Sequence, residues 1–197
     1  MARKGPVTKD TSSIVLGLAQ VRIGVSAANI TTLTRVLLAA NSIGALANTK
    51  FTGSVDWWKL ESGFPLLEDY QVPLREAAHL ECAFKEISPM NMALAYGKDI
   101  TVAPYSAYTA HSGELPLGTR DASAFIRMEA LYTYPNGTNF MTILFPRGQV
   151  SAAVEMDLAA EDAAAVPITI ESKRADSETS GGNAAWDSRP LGRIFWE

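Results

Sequence analysis

The side chains in this 197-residue sequence best suited to catalysis or metal binding are two histidines, one cysteine and a few adjacent carboxylates. His79 stands among carboxylates in an alternating segment, and His111 stands in a Ser/Gly-containing loop. Nucleophilic catalysis needs a hydroxyl or thiol held against a base, and no Gly-x-Ser-x-Gly elbow occurs. Cys82 alternates with Ala78, Leu80 and Phe84, so it reads as a small buried strand residue; a lone thiol makes no internal bridge. There is no Cys-x-x-Cys, no His-Glu-x-x-His and no dense Asp/Asn calcium loop. Gly97-Lys98 lacks the upstream glycine of a phosphate loop, and no helix is expected after Gly181-Gly182. The pairs Glu68-Asp69 and Glu161-Asp162 read as solvated turn residues. In a strand, Trp57 and Trp58 send their rings to opposite faces, so they build no single sugar-stacking platform. They read as core packing or as an inter-subunit contact. The residues therefore specify no catalytic residue, no cofactor and no metal, and the expected protein is not an enzyme.

The elements that would have to position any site are mostly strands. From Ile14 to Gly24, Val15, Ala19, Val21 and Ile23 share one face. Residues 33–47 carry Leu33, Val36, Leu37, Ala40, Ile43 and Leu46 at helical spacing, against the β-branched Thr31, Thr32 and Thr34 and a central Gly44. Residues 48–76 alternate strand-like runs with Gly63, Pro65 and Pro73, and predict an extended hairpin reaching away from the core. A strand follows over 77–87. Ser88-Pro89 then opens the clearest helix, 88–97, which Gly97 stops. Residues 98–120 read as a loop-rich insertion. Ala124–Tyr134 and Phe140–Phe145 flank Asn136-Gly137, a hairpin signal because Asn-Gly accepts positive φ.

Pro146-Arg147-Gly148 predicts another turn, and Val150, Ala152, Val154, Met156 and Leu158 the inward face of a half-buried strand. Val166, Ile168 and Ile170 predict a further strand. Residues 175–188 are polar and Gly-rich, which predicts a mobile loop. The closing strand or arm, 190–197, holds Ile194-Phe195-Trp196, a segment expected to dock onto something. The expectation is one domain over 1–197 with a flexible arm at about 1–12.

Composition narrows the classes further. Net charge is −4 and no Lys/Arg cluster occurs, so the basic footprint of a nucleic-acid binder is missing. No run approaches the roughly 20 apolar residues of a membrane span, so no membrane insertion is expected. The basic first residues lack an apolar h-region, so no signal peptide is expected and the chain reads as soluble and made inside the cell.

The order of features resembles phage tail tube proteins. The residues carrying the resemblance are Leu16-Gly17-Leu18-Ala19-Gln20-Val21-Arg22-Ile23-Gly24 and the segment Gly53-Ser54-Val55-Asp56-Trp57-Trp58-Lys59-Leu60-Glu61-Ser62-Gly63-Phe64-Pro65. They continue with Pro89-Met90-Asn91-Met92-Ala93-Leu94-Ala95-Tyr96-Gly97, Val166-Pro167-Ile168-Thr169-Ile170 and Pro190-Leu191-Gly192-Arg193-Ile194. The resemblance implies a mainly β sandwich or barrel with one short flanking α-helix and extended arms. It implies six copies in a ring, and rings stacked into a virion tail tube that conducts DNA during genome ejection without binding it specifically. Implied partners are further copies of the chain and sheath, baseplate, terminator and tape-measure proteins, with synthesis in the bacterial host cytoplasm. The inner tube of a pyocin-like or type VI-like injection system is an alternative, as is a head-completion or decoration protein.

Two sets of residues are expected to matter in such an assembly. Trp57, Trp58, Phe64, Leu66, Leu67, Ile194, Phe195 and Trp196 are the inter-subunit contact candidates. Gln149, Ser151, Glu155, Asp157, Thr169 and Glu171 are the lumen-facing candidates, since a wall that lets DNA slide needs polar groups and few free cations. Arg127 and Lys173 are expected to dilute the negative character of that wall. Truncation after Gly192 is expected to leave a folded domain that cannot polymerise.

Overall fold

Period-two patterning dictates a mainly β chain, and the computed structural model, which describes residues 17, 19–64, 67–100, 114–118, 124–151, 154–156, 158 and 163–197, has that character. Its described elements are β1 (Gln20–Val25), α1 (Ser26–Asn29), β2 (Leu46–Ser62), β3 (Leu67–Phe84), α2 (Pro89–Ala95), β4 (Ile126–Thr133), β5 (Phe140–Val150), β6 (Val166–Ser172) and β7 (Arg193–Trp196). The strands form one antiparallel sheet in the order β1-β4-β5-β6-β3-β2, with β7 also paired to β5. The expected arm at 1–12, most of the 98–120 insertion and His111 lie outside the described residues.

Local chemistry explains the best-formed pieces. Between β4 and β5 the Asn136 side chain accepts from the Thr138 and Asn139 amides, both at 3.1 Å, while Gly137 takes φ +71°. At α2 the Ser88 hydroxyl accepts from the Asn91 amide at 3.2 Å, Pro89 needs no donor at the first helical position, and Gly97 ends the turn at φ +67°. The Asn91 side chain donates to the carbonyls of Ile43 and Glu86, which pins the helix to the sheet.

The sheet curls onto itself. The Ile43 amide donates to the Val21 carbonyl at 3.0 Å and Ser42 bridges Arg22, so the segment leading into β2 covers the outer edge of β1. Phe51 of β2 consequently faces Phe145 of β5 across the interior, with ring centroids 6.4 Å apart. Val21, Leu80, Phe84, Met128, Ile143 and Ile170 fill this core, with Leu94 of α2 packed among them. Alternation on β6 is strict: Val166, Ile168 and Ile170 are buried while Pro167, Thr169 and Glu171 face the other way.

A second layer covers the opposite face of β4 and β5. Arg127 and Glu129, two residues apart on one face of β4, are both fully buried. Arg127 donates to the carbonyls of Asn29, Thr32 and Thr34 at 2.8, 2.8 and 2.6 Å, and Glu129 accepts from the Val36 and Leu37 amides at 3.0 and 3.1 Å. Residues 33–47 therefore do not form the helix their spacing suggests. The buried pair consumes the backbone groups a helix would use, and only a short 3-10 turn, Ala39–Asn41, remains before β2.

Four further expectations change. Pro146-Arg147-Gly148 is not a turn, because β5 runs through it. Two steps on β4, Ile126 to Met128, oppose three on β5, Phe145 to Gly148, so the proline sits at a bulge that tolerates its missing N–H. The predicted strand over 150–158 ends early. Ser151 still pairs with Thr169, but Met156 and Leu158 are exposed, not inward-facing.

Residues 175–188 are packed, not free. Trp186 and Ala175 are fully buried, Trp186 donates its indole N–H to the Ile30 carbonyl, and Asp187 accepts from the Ser177 amide and hydroxyl at 2.9 and 2.8 Å. Gly182 is required there, since a Cβ would lie 1.9 Å from the Asp176 carbonyl oxygen. The C-terminal β7 pairs Met141–Leu144 and buries Phe195 with Leu144, Ala175 and Trp186, so truncation after Gly192 removes part of the fold itself.

Candidate assembly surfaces

Strands β2 and β3 pair over nearly their whole length, but β6 covers only His79–Phe84 of β3. Beyond that point no other described strand pairs with the hairpin, and all residues from Gly53 to Phe64 are exposed. At about 3.3 Å per residue the ten residues Gly53–Ser62 carry it roughly 33 Å from the core. Register shifts opposite Leu74 and Asp69 put bulges into β3, one of them beside Pro73, so the strand passes the proline without breaking.

Cross-strand pairing sorts the arm's side chains into two faces. Trp58 opposes Val72 and Leu60 opposes Tyr70, which makes one face apolar. Trp57 opposes Pro73 and Lys59 opposes Gln71 on the other, where Lys59 meets Glu68 at 2.6 Å. This contact and the Gln71 amide hold the Glu68 carboxyl below its usual range, and the same Glu68 holds the Lys59 ammonium above its own. Trp57 is 52% and Trp58 47% exposed, so neither is core packing. Phe64 at the tip is wholly exposed and Leu67 is 65% exposed; Leu66 lies outside the described residues. Of the C-terminal candidates, Ile194 and Trp196 are exposed, whereas Phe195 is buried within its own chain and is not free for a neighbour.

A polar face emerges where β2, β3, β6 and β5 run side by side. Thr52, His79, Glu171 and Gln149 stand in register across the four strands. Lys50, Glu81, Thr169 and Ser151 form the next row. Four lumen-facing candidates, Gln149, Ser151, Thr169 and Glu171, are thus brought together. Glu155 is exposed beyond the end of β5, and Asp157 lies outside the described residues.

The charges on this face meet one another. Lys50 and His79 each lie 3.2 Å from Glu81, and Lys173 pairs with Glu171. The Lys50 contact lowers the Glu81 carboxyl, and Lys173 followed by Ser151 lowers that of Glu171. Ser151 donates to Glu171 at 2.7 Å and not to His79, so the nucleophile–base contact of acyl-transfer catalysis is not made here. Burial alone pushes the Cys82 thiol up to about 12, which leaves it protonated and inert. Among the described residues no group of three or more His, Cys, Asp and Glu is placed to hold a metal ion, and no helix is long and apolar enough to cross a membrane.

Arg127 was expected on the wall, and the structure encloses it. The signal available in the sequence was the pattern Ile126-Arg127-Met128-Glu129-Ala130, where opposite charges two apart share one strand face inside an otherwise apolar run.

The fold and these surfaces define a mainly β chain with a bare projecting hairpin and a charge-paired polar sheet face. No family model matches the chain, and no curated protein matches it. Among solved structures it is similar to a chain described as the tail of an empty GTA particle computed with helical refinement, C6 symmetry. The identity is 12% and the TM-score 0.42, over 82% of this chain and 96% of that one. Likeness at that depth assigns no family.

Proposed function

We propose that this chain is a non-enzymatic structural subunit of a phage-type tail tube, which forms rings, of six copies by resemblance, that stack around a lumen conducting DNA in the virion tail. The observation that carries the reading is the hairpin. A two-stranded ribbon is marginal in water unless a face is covered, yet this one exposes Trp57, Trp58, Leu60, Phe64, Leu67 and Tyr70. A neighbouring copy supplies that cover.

The polar face suits a channel wall, because phosphates are retained by unpaired cations and its lysines stand beside carboxylates of the same chain. Negative-stain electron microscopy of the purified protein at high concentration tests the reading. Rings or tubes with a central channel are expected. Strictly monomeric protein that stays monomeric when seeded overturns it.

A further inference from the structure

The sheet leaves an opening at the base of the hairpin. β5 gives Met141–Leu144 to β7 and Gly148–Val150 to β6 along one edge, so β7 and the β6–β3 pair diverge like the arms of a fork. Between them is a cavity of about 190 Å³ lined by Phe51, Ala78, Ile143, Phe145, Leu191 and Ile194, with Glu76 also on its lining. Ile143 and Phe145 are core residues, so the fork opens a window onto the core. Ile194, in register with Ile143, is 40% exposed because nothing of the described chain closes over it.

We infer that this notch receives the hairpin tip of a second copy, with the Phe64 ring as the inserted group; the inference rests on the tube reading and names the contact that would propagate it. Size agrees, since a cavity of about 150 Å³ admits a benzene-sized ring. Chemistry agrees as well. Phe64 is wholly exposed at the end of the arm, whereas the notch at its base is lined mainly by apolar side chains. Tip and notch lie on different parts of one chain, roughly an arm's length apart. Their union is therefore heterologous, and it closes into a ring if the rotation closes or continues as an open helical filament if it does not.

The area is sufficient. Eight large apolar side chains of the arm are each at least 40% exposed. At roughly 100 Å² apiece they offer on the order of 800 Å² over the arm's two faces, comparable to the share one partner contributes to a standard interface, and the notch takes the Phe64 ring of that set.

The test uses the full chain with p-azidophenylalanine at Phe64, assembled from a mixture of ¹⁴N- and ¹⁵N-labelled protein and irradiated. Crosslinked peptides of mixed isotope that join position 64 to residues 76–78 or 191–194 are expected. Crosslinks confined to other segments, in assemblies that microscopy shows intact, overturn the notch and leave the tube reading standing. Phe64→Asp, a change at a wholly exposed side chain, is expected to keep the wild-type melting curve and lose assembly. Normal tubes from Phe64→Asp overturn the inference too. If the unsubstituted chain never assembles, the tube reading falls and the notch contact with it.

Discussion

Arg127 donates its Nε to Glu129 at 2.8 Å with both side chains fully enclosed, and together the two residues hold five backbone groups of the segment 29–37. Removing one partner leaves an uncompensated buried charge, which costs about 3–5 kcal/mol. Glu129→Ala should therefore lower stability by that amount in urea unfolding. The double change Arg127→Met with Glu129→Leu leaves no charge stranded but deprives all five backbone groups of their partners, so it should not restore wild-type stability. A loss under about 1 kcal/mol for Glu129→Ala would show that water reaches the pair.

The C-terminal strand is predicted to be part of the fold. Phe195 is buried against Trp186 and Leu144, and Arg193 donates to the Leu33 carbonyl at 3.3 Å. Phe195→Ala is expected to cost about 3–5 kcal/mol, and truncation after Gly192 at least as much. Calorimetry decides this. An unchanged melting temperature after truncation would restore the view of a dispensable arm.

Shortening the arm should separate folding from assembly. Ser54 and Ala77 are register partners, so replacing Val55–Glu76 with Asn-Gly closes the hairpin at its base with a favoured two-residue turn. The expected protein melts within a few degrees of wild type and forms no polymer by microscopy or sedimentation. Tubes from this variant would place the stacking contacts elsewhere.

The carboxyl of Glu171 lies below its ordinary 4.5 because Lys173 and then Ser151 bond its charged form. A depressed carboxylate pKa contributes stability above the unfolded value, and that contribution is lost as pH falls through the folded one. The side chain is 41% exposed, so the effect on stability is small. Carboxyl-carbon NMR should give a Glu171 midpoint below 4.5 that moves back up in Lys173→Met. A wild-type midpoint at or above 4.5 contradicts the contact.

Cys82, with its thiol near 12 and 2% exposure, should resist iodoacetamide at pH 8 in the native state and react at once in urea. Rapid native labelling would mean that β3 opens locally.

What the sequence determined by itself was whatever short-range rules decide. Strict alternation made β6, Asn136-Gly137 made the β4–β5 turn, and Ser88-Pro89 with Gly97 bounded α2. Gly63, Pro65 and the exposed aromatics of 48–76 likewise pointed to an arm, because no interior needs such a run. Only the tertiary structure decided the rest, since each outcome depends on a distant partner. Residues 33–47 have helical spacing, but Arg127 and Glu129, some 90 positions away, take their backbone bonds. Residues 175–188 look free by composition, yet the indole of Trp186 reaches Ile30 and orders them. The fork between β7 and β6 exists because two strands share one edge of β5, a division of hydrogen bonds that no local pattern encodes.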